Sequence, residues 1–278
     1  MMDLYNETCF ECSKVITGKY SSSFSLGIKA FDKKYHAPIY AIYGFVRYAD
    51  EIVDTFHSFN KKELLRDFRI RTFQAIDEKI SLNPVLHSFQ LVVNTYNIDK
   101  ALIGGFLDSM EMDLDQKALS EESYKQYIHG SAEVVGLMCL KVFCHQKEHL
   151  YQSLCEQARK LGSAFQKVNF LRDVKADFEE RGRVYFPGID FHTFSNEDKL
   201  KIEQEIEQDF EDALAGIRNL PAGVRKGVYI AYMYYKELFR KIQNISAENI
   251  VKERIRISDK RKVFLFALAL VQNRFKGI

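Results

Sequence analysis

The sequence contains no tryptophan, only four prolines and 14 glycines in 278 residues, and no tract rich in Gly, Ser or Pro. These scarcities exclude a disordered chain and long flexible linkers. No charge of one sign dominates either: 40 basic residues stand against 38 acidic ones, for a net charge of +2. That balance excludes the basic footprint of a nucleic-acid binder, although Lys252–Lys262 is locally basic. Long apolar runs are missing as well. The longest, Val263–Val271, falls well short of the roughly 20 residues that span a bilayer. The first residues are acidic and polar, unlike a secretory leader. Cysteine is sparse and odd in number: Cys9, Cys12, Cys139, Cys144 and Cys155. Cys9 and Cys12 form a C-x-x-C pair, but no second pair stands at metal spacing and no βαβ pattern surrounds it. Both read as reduced cysteines on an amphipathic helix, and the expected location is the cytoplasm.

What is present is helical periodicity. Apolar residues make up 46% of the chain, and 22 Phe and 15 Tyr supply rings enough to line a core or a pocket. The strongest helical segments fall near 36–58, 62–80, 84–95, 99–115, 121–145, 147–180, 196–218, 222–243 and 246–275, the last breaking near Ser258. They end at Asn83-Pro84, Asn97, Gly182, Pro187-Gly188 and Pro221. No alternating strand, internal repeat or composition shift interrupts them. The expectation is an all-α chain forming a single domain over residues 1–278.

Two of these helices are polar where a core-facing stripe is expected. Tyr43, Arg47, Asp50 and Asp54 share one helical face, beside the apolar stripe Ile42, Val46, Ala49 and Val53. Gln166, Asn169, Asp173 and Asp177 share a face of a second helix, beside Leu161, Phe165 and Val168. Each helix thus carries Asp-x-x-x-Asp, two carboxylates about 6 Å apart along the axis. Like charges at that spacing destabilise a helix unless a cation lies between them. Mg²⁺ suits the role, since it prefers oxygen ligands and commonly shares carboxylates with phosphate oxygens. Arg47 and Arg172 add guanidinium forks that match phosphate. Spacing alone leaves a metal–diphosphate site and a solvated face both open.

At these residues the chain resembles the squalene/phytoene synthase family, the head-to-head prenyl synthases. Tyr43-Gly44-Phe45-Val46-Arg47-Tyr48-Ala49-Asp50-Glu51-Ile52-Val53-Asp54 resembles its first aspartate-rich motif. The run from Leu161 through Gln166, Asn169, Arg172 and Asp173 to Asp177 resembles the second, followed by Gly182-Arg183-Val184-Tyr185-Phe186-Pro187. Ser21-Ser22-Ser23-Phe24 is similar to an N-terminal segment whose hydroxyls lie near diphosphate, with Ser22 standing where the family often has a basic residue. Met110–Leu114 and Tyr127–Gly136 resemble helices lining the family's cavity, and Arg254 and Tyr235 resemble late site residues.

The resemblance implies a helical bundle of the isoprenoid-synthase type around a deep cavity. It implies metal ligands at Asp50, Asp54, Asn169, Asp173 and Asp177, with Tyr43, Arg47 and Tyr127 also catalytic. Substrate contacts are implied at Ser21, Ser23, Phe24, Arg47, Gln166, Asn169, Arg172, Tyr235 and Arg254. The implied cofactor is Mg²⁺, with Mn²⁺ as a substitute and no nicotinamide. The implied reaction joins two geranylgeranyl diphosphates through a cyclopropylcarbinyl diphosphate to phytoene, the first committed step of carotenoid synthesis, with a desaturase downstream. Two alternatives stay open: a dehydrosqualene or squalene synthase using farnesyl diphosphate, and a non-catalytic helical assembly factor. The small residues Gly130, Ala132, Gly136 and Gly162 either leave room for a prenyl chain or serve close helix packing. Arg254–Phe275 is expected to form the last core helix or to touch a membrane surface peripherally. His36, His57, His87, His129 and His145 show no ligand spacing, and Ser21 and Ser23 have no triad partners.

Overall fold

Helix starts are written locally. Asn83 caps α5 (Pro84–Tyr96), its side chain accepting from the backbone N–H of Val85 and Leu86, with Pro84 at the first helical position. Ser120 and Ser195 cap α7 (Glu121–Ile128) and α10 (Asn196–Asn219) with reciprocal hydrogen bonds to Ser123 and Asp198. A computed structural model describes residues 2–115, 119–175, 184–189 and 193–250, with Lys252, Ile255 and Ile257. Its elements among the described residues are all helices. Besides those three they are α1 (Met2–Tyr20), α2 (Ser22–Lys29), α3 (His36–Asp54), α4 (Lys61–Glu78), α6 (Lys100–Asp115), α8 (Val134–Phe143), α9 (Glu148–Lys175), α11 (Ala222–Gln243) and α12 (Ala247–Ile250). A short 3₁₀ turn spans Lys33–Tyr35. None is long and apolar enough to cross a membrane.

Helix α3 is central. Phe45 is fully buried, its ring stacked on Phe89 of α5 at 3.9 Å and packed against Phe68 of α4 and Phe106 of α6. Removing such a ring costs about 3–5 kcal/mol. This knot fixes the polar face of α3 toward the interior. Helix α9 runs along α10, where the buried Lys167 ammonium donates to Asp209 at 2.6 Å and to Glu205, while Ser163 donates to Asp209 at 2.7 Å. The other face of α9, carrying Gln166, Asn169 and Asp173, is thereby turned inward. Near the two chain ends, α2 lies against α11, with the backbone N–H of Asp32 donating to the Gly223 carbonyl at 2.8 Å.

Four expectations are corrected. The strong segments began at residue 36, yet α1 and α2 precede it, α1 being the helix on which Cys9 and Cys12 were read. The buried face of α1 is Cys9, Ser13 and Thr17, small or polar residues invisible to apolar periodicity. Ser13 and Ser88 share a hydrogen bond of 2.8 Å between α1 and α5. Cys9 and Cys12 lie on α1 as free thiols. The helix expected over 121–145 is broken by a π segment at His129–Glu133, closed by Val134 N–H donating to the His129 carbonyl. The helix expected over 36–58 stops at Asp54, and α9 is described to Lys175. Beyond α12, Lys252, Ile255 and Ile257 are described outside any helix, and the rest of the helix expected to 275, with its membrane contact, lies outside the described residues.

Candidate active site

Helices α3, α6 and α9 and the π segment bring their polar faces to one chamber of about 270 Å³. Asp50 and Asp54 enter from α3, Gln166, Asn169, Arg172 and Asp173 from α9, and Tyr127 from the end of α7. Asp113 on α6 and Tyr185 join them. Asp113 lies in the Met110–Leu114 segment whose resemblance implied a cavity-lining helix, but it was not singled out as a site residue. It accepts from the buried Tyr127 hydroxyl at 2.7 Å and from the Tyr185 hydroxyl at 3.4 Å. Its signal was a lone aspartate three residues after the inward-facing Met110, one too few for a stripe. Asp177 and Arg254 lie outside the described residues.

Burial raises the Asp50 pKa to about 7, against the pull of Arg47, with the nearby charges of Asp54 and Asp113 adding to the rise. Its side chain keeps 34% of its surface, and it lines the chamber. Burial and the adjacent Asp113 hold the Tyr127 phenol well above its usual value, so it stays protonated. Burial pulls the Arg172 pKa down, but its hydrogen bonds and charge pairing with Asp173 outweigh this and keep it raised. Its Nε donates to Asp173 at 3.0 Å.

Other expected residues flank the chamber without lining it. Arg47 bonds Glu51, lies 3.9 Å from Asp50 and stacks on the Tyr20 ring at 4.3 Å. Its Nε is buried without a partner. Tyr43 stacks on Phe24 at 4.9 Å. Burial raises its hydroxyl pKa to about 12, against a hydrogen bond from Ser21. Ser21 also caps α2, accepting from Phe24 N–H at 3.2 Å. Ser23 is half-buried in the first turn of α2. Tyr235 on α11 donates to Asn169 at 3.3 Å and stacks on Phe165.

Against the polar chamber lies an apolar cavity of about 240 Å³, lined among others by Phe24, Ile28, Phe31, Val135, Leu161 and Phe165. Val46, Ser131 and Gln166 line both spaces, so the two meet there. Both readings of the small residues hold. Ala132, Gly136 and Gly162 line the cavity. Yet a Cβ on Gly162 would stand 2.7 Å from the Ala132 carbonyl, and one on Gly130 would stand 2.4 Å from the Gly105 carbonyl. The π segment is thus clamped between α6 and α9.

Four carboxylates line one chamber, Asp173 beside Arg172 and Asp50 beside Arg47, and a grouping of oxygen ligands of this kind fits a hard divalent ion. Among the described residues no three His, Cys, Asp or Glu side chains form a ready-made cluster around one ion.

The sequence model of squalene/phytoene synthases matches residues 17–261. The chain belongs to the squalene/phytoene synthase family. It is therefore an enzyme of the prenyl-transfer class, from a family dependent on divalent metal. A 15-cis-phytoene synthase of Synechocystis sp. is 28% identical, the match covering 95% of this chain and 85% of that protein. A phytoene synthase of Arthrospira platensis is 23% identical over 95% of this chain and 93% of its own. Among solved structures, a dehydrosqualene synthase in complex with ligand superposes with a TM-score of 0.80 at 22% identity, covering 97% of this chain and 98% of that one. Squalene synthase HpnC from Alicyclobacillus acidocaldarius gives 0.76 at 16% identity, covering 86% and 95%. These likenesses bear out the isoprenoid-synthase-type helical fold.

Proposed function

We propose that this enzyme joins two molecules of geranylgeranyl diphosphate head to head, through a cyclopropylcarbinyl diphosphate, to phytoene for carotenoid synthesis. The observation that carries the reading is the seam between an acid-lined chamber and an apolar cavity. A prenyl diphosphate has that same division, a polyanionic head on a long apolar tail. The relatives named phytoene synthase, which align over nearly the whole chain, support the longer substrate.

In this reading Asp50, Asp54, Asn169 and Asp173, with Asp177, would hold Mg²⁺. Bound Mg²⁺ neutralises the developing charge on the leaving diphosphate. The unpartnered Arg47 Nε and the Arg172 guanidinium receive phosphate oxygens. The first allylic diphosphate ionises, and C1 of its cation attacks the double bond of the second molecule. Ionisation of the resulting cyclopropylcarbinyl diphosphate, rearrangement and loss of a proton give the hydrocarbon. Tyr43 against Phe24, and Tyr127 against Phe170 and Tyr185, present ring faces that steady cations without trapping them. The apolar walls keep water from quenching the cation. Lipidic substrate and product suit an enzyme of the cytoplasm working peripherally at a membrane.

The test is incubation of the purified enzyme with Mg²⁺ and no NADPH, in parallel with farnesyl and geranylgeranyl diphosphates. The expected product is a forty-carbon hydrocarbon with phytoene's triene absorbance. A thirty-carbon product from farnesyl diphosphate alone would replace the substrate assignment, and strict NADPH dependence would move it to squalene synthesis.

A further inference from the structure

Ser131 occupies the seam, lining both the acid chamber and the apolar cavity. Its Oγ is buried and makes no hydrogen bond. Helical serines ordinarily bond back to the carbonyl one turn earlier, but Ser131 lies within the π segment, and its hydroxyl makes no such bond. Such segments often mark functional positions. A buried hydroxyl without a partner is a cost that a ligand acceptor would remove. Neighbouring backbone holds the residue in place, since neither Gly130 against Gly105 nor Gly162 against Ala132 leaves room for a side chain.

The acceptor follows from where the seam falls on a substrate. With the diphosphate among the carboxylates and the prenyl chain in the apolar cavity, the atoms at the seam are C1 and the ester oxygen bonded to it. We propose that Ser131 donates its hydroxyl hydrogen bond to this bridging oxygen and is a catalytic residue of the ionisation step. The inference rests on the prenyl-transfer reading above. In the step the C1–O bond breaks heterolytically and its electron pair goes to the diphosphate oxygen. C1 becomes the allylic cation, and Ser131 keeps its proton while its hydrogen bond strengthens onto the oxygen that gains charge. A donor aimed at charge that develops only in the transition state raises kcat with little effect on substrate binding.

The experiment compares wild type, Ser131→Ala and Ser131→Thr in Mg²⁺-dependent diphosphate release from geranylgeranyl and farnesyl diphosphates. Calorimetry on the same proteins measures binding of the matching thiolodiphosphates, which carry sulfur, a weak acceptor, at the bridging position. Ser131→Ala is expected to lower kcat about 10–100-fold with KM within about twofold. Ser131→Thr is expected to recover most of the loss, and all three proteins to bind the thiolodiphosphate alike, which also shows that the variants fold. A Ser131→Ala enzyme with kcat within about twofold of wild type overturns the proposal. A tenfold loss of thiolodiphosphate affinity in that variant overturns it too, because the hydroxyl would then serve ground-state binding. Wild type releasing no diphosphate from either substrate would overturn the prenyl-transfer reading and this one together. A thirty-carbon wild-type product would overturn only the chain-length assignment.

Discussion

Replacing Asp50 by Asn is expected to stabilise the metal-free protein while removing its activity. Burial, with Asp54 and Asp113 nearby, raises the Asp50 pKa from 3.8 to about 7, so the folded protein holds this proton to higher pH than the unfolded chain. Stability from this group is therefore lost as pH rises from about 4 to 7. The rise corresponds to a ceiling of about 4 kcal/mol. Since 34% of the side chain is exposed, solvent screening reduces the effect to about 1–2 kcal/mol. In a chain of this size that moves the melting temperature by roughly 2–8 °C. The assay is thermal melting in EDTA at pH 8 and at pH 5. Asp50→Asn should melt higher than wild type at pH 8, with a smaller gap at pH 5. In Mg²⁺ with a prenyl thiolodiphosphate, wild type should gain stability and the variant should gain much less. Equal or lower melting of the variant at pH 8, or a gap that ignores pH, would refute the electrostatic account of the chamber.

Three further outcomes are expected. EDTA should abolish diphosphate release and excess Mg²⁺ should restore it; turnover persisting in EDTA would remove the metal role of the acidic helices. Gly130→Ala places a Cβ against the backbone of Gly105 and should cost about 1–3 kcal/mol by urea denaturation, with a loss of kcat as Tyr127 moves from Asp113. Lys167→Met leaves the buried Asp209 with Lys160 and Ser163 as its remaining partners. It should destabilise by up to about 3 kcal/mol, read as a lower urea midpoint, whereas an unchanged midpoint would show that the pair only orients α9.

The two acidic stripes were legible because a helix turns a one-dimensional spacing into a shared face. Spacing put each stripe on one face and left open whether that face was solvated; Asp50, Asp54, Asn169 and Asp173 line one chamber. Asp113 was not legible as a site residue, since one carboxylate on an amphipathic helix carries no periodicity and its role depends on Tyr127 and Tyr185 arriving from elsewhere. Helix α1 was legible only around Cys9 and Cys12; its extent escaped because its buried face is Cys9, Ser13 and Thr17, where close approach replaces apolar bulk. The π segment escaped because nothing in the residue types of 129–133 marks a shift of hydrogen-bond register, whereas the structure shows the close backbone approaches at Gly130 and Gly162. Tyr235 was legible by resemblance, and its hydrogen bond to Asn169 gives it a physical place beside the second stripe.

The contact between α2 and α11 bears on how the chain is made. Phe24 and Ile28 form one wall of the apolar cavity, and Val228 and Ala231 form another. About 200 residues separate them, so at 5–20 residues per second the earlier wall waits about 10–40 s for its partner to leave the ribosome. For that interval the surface that walls the apolar cavity is itself open to water and to other nascent chains. Synthesis at low temperature or with holding chaperones should therefore raise soluble yield more than any change to the surface of the finished enzyme.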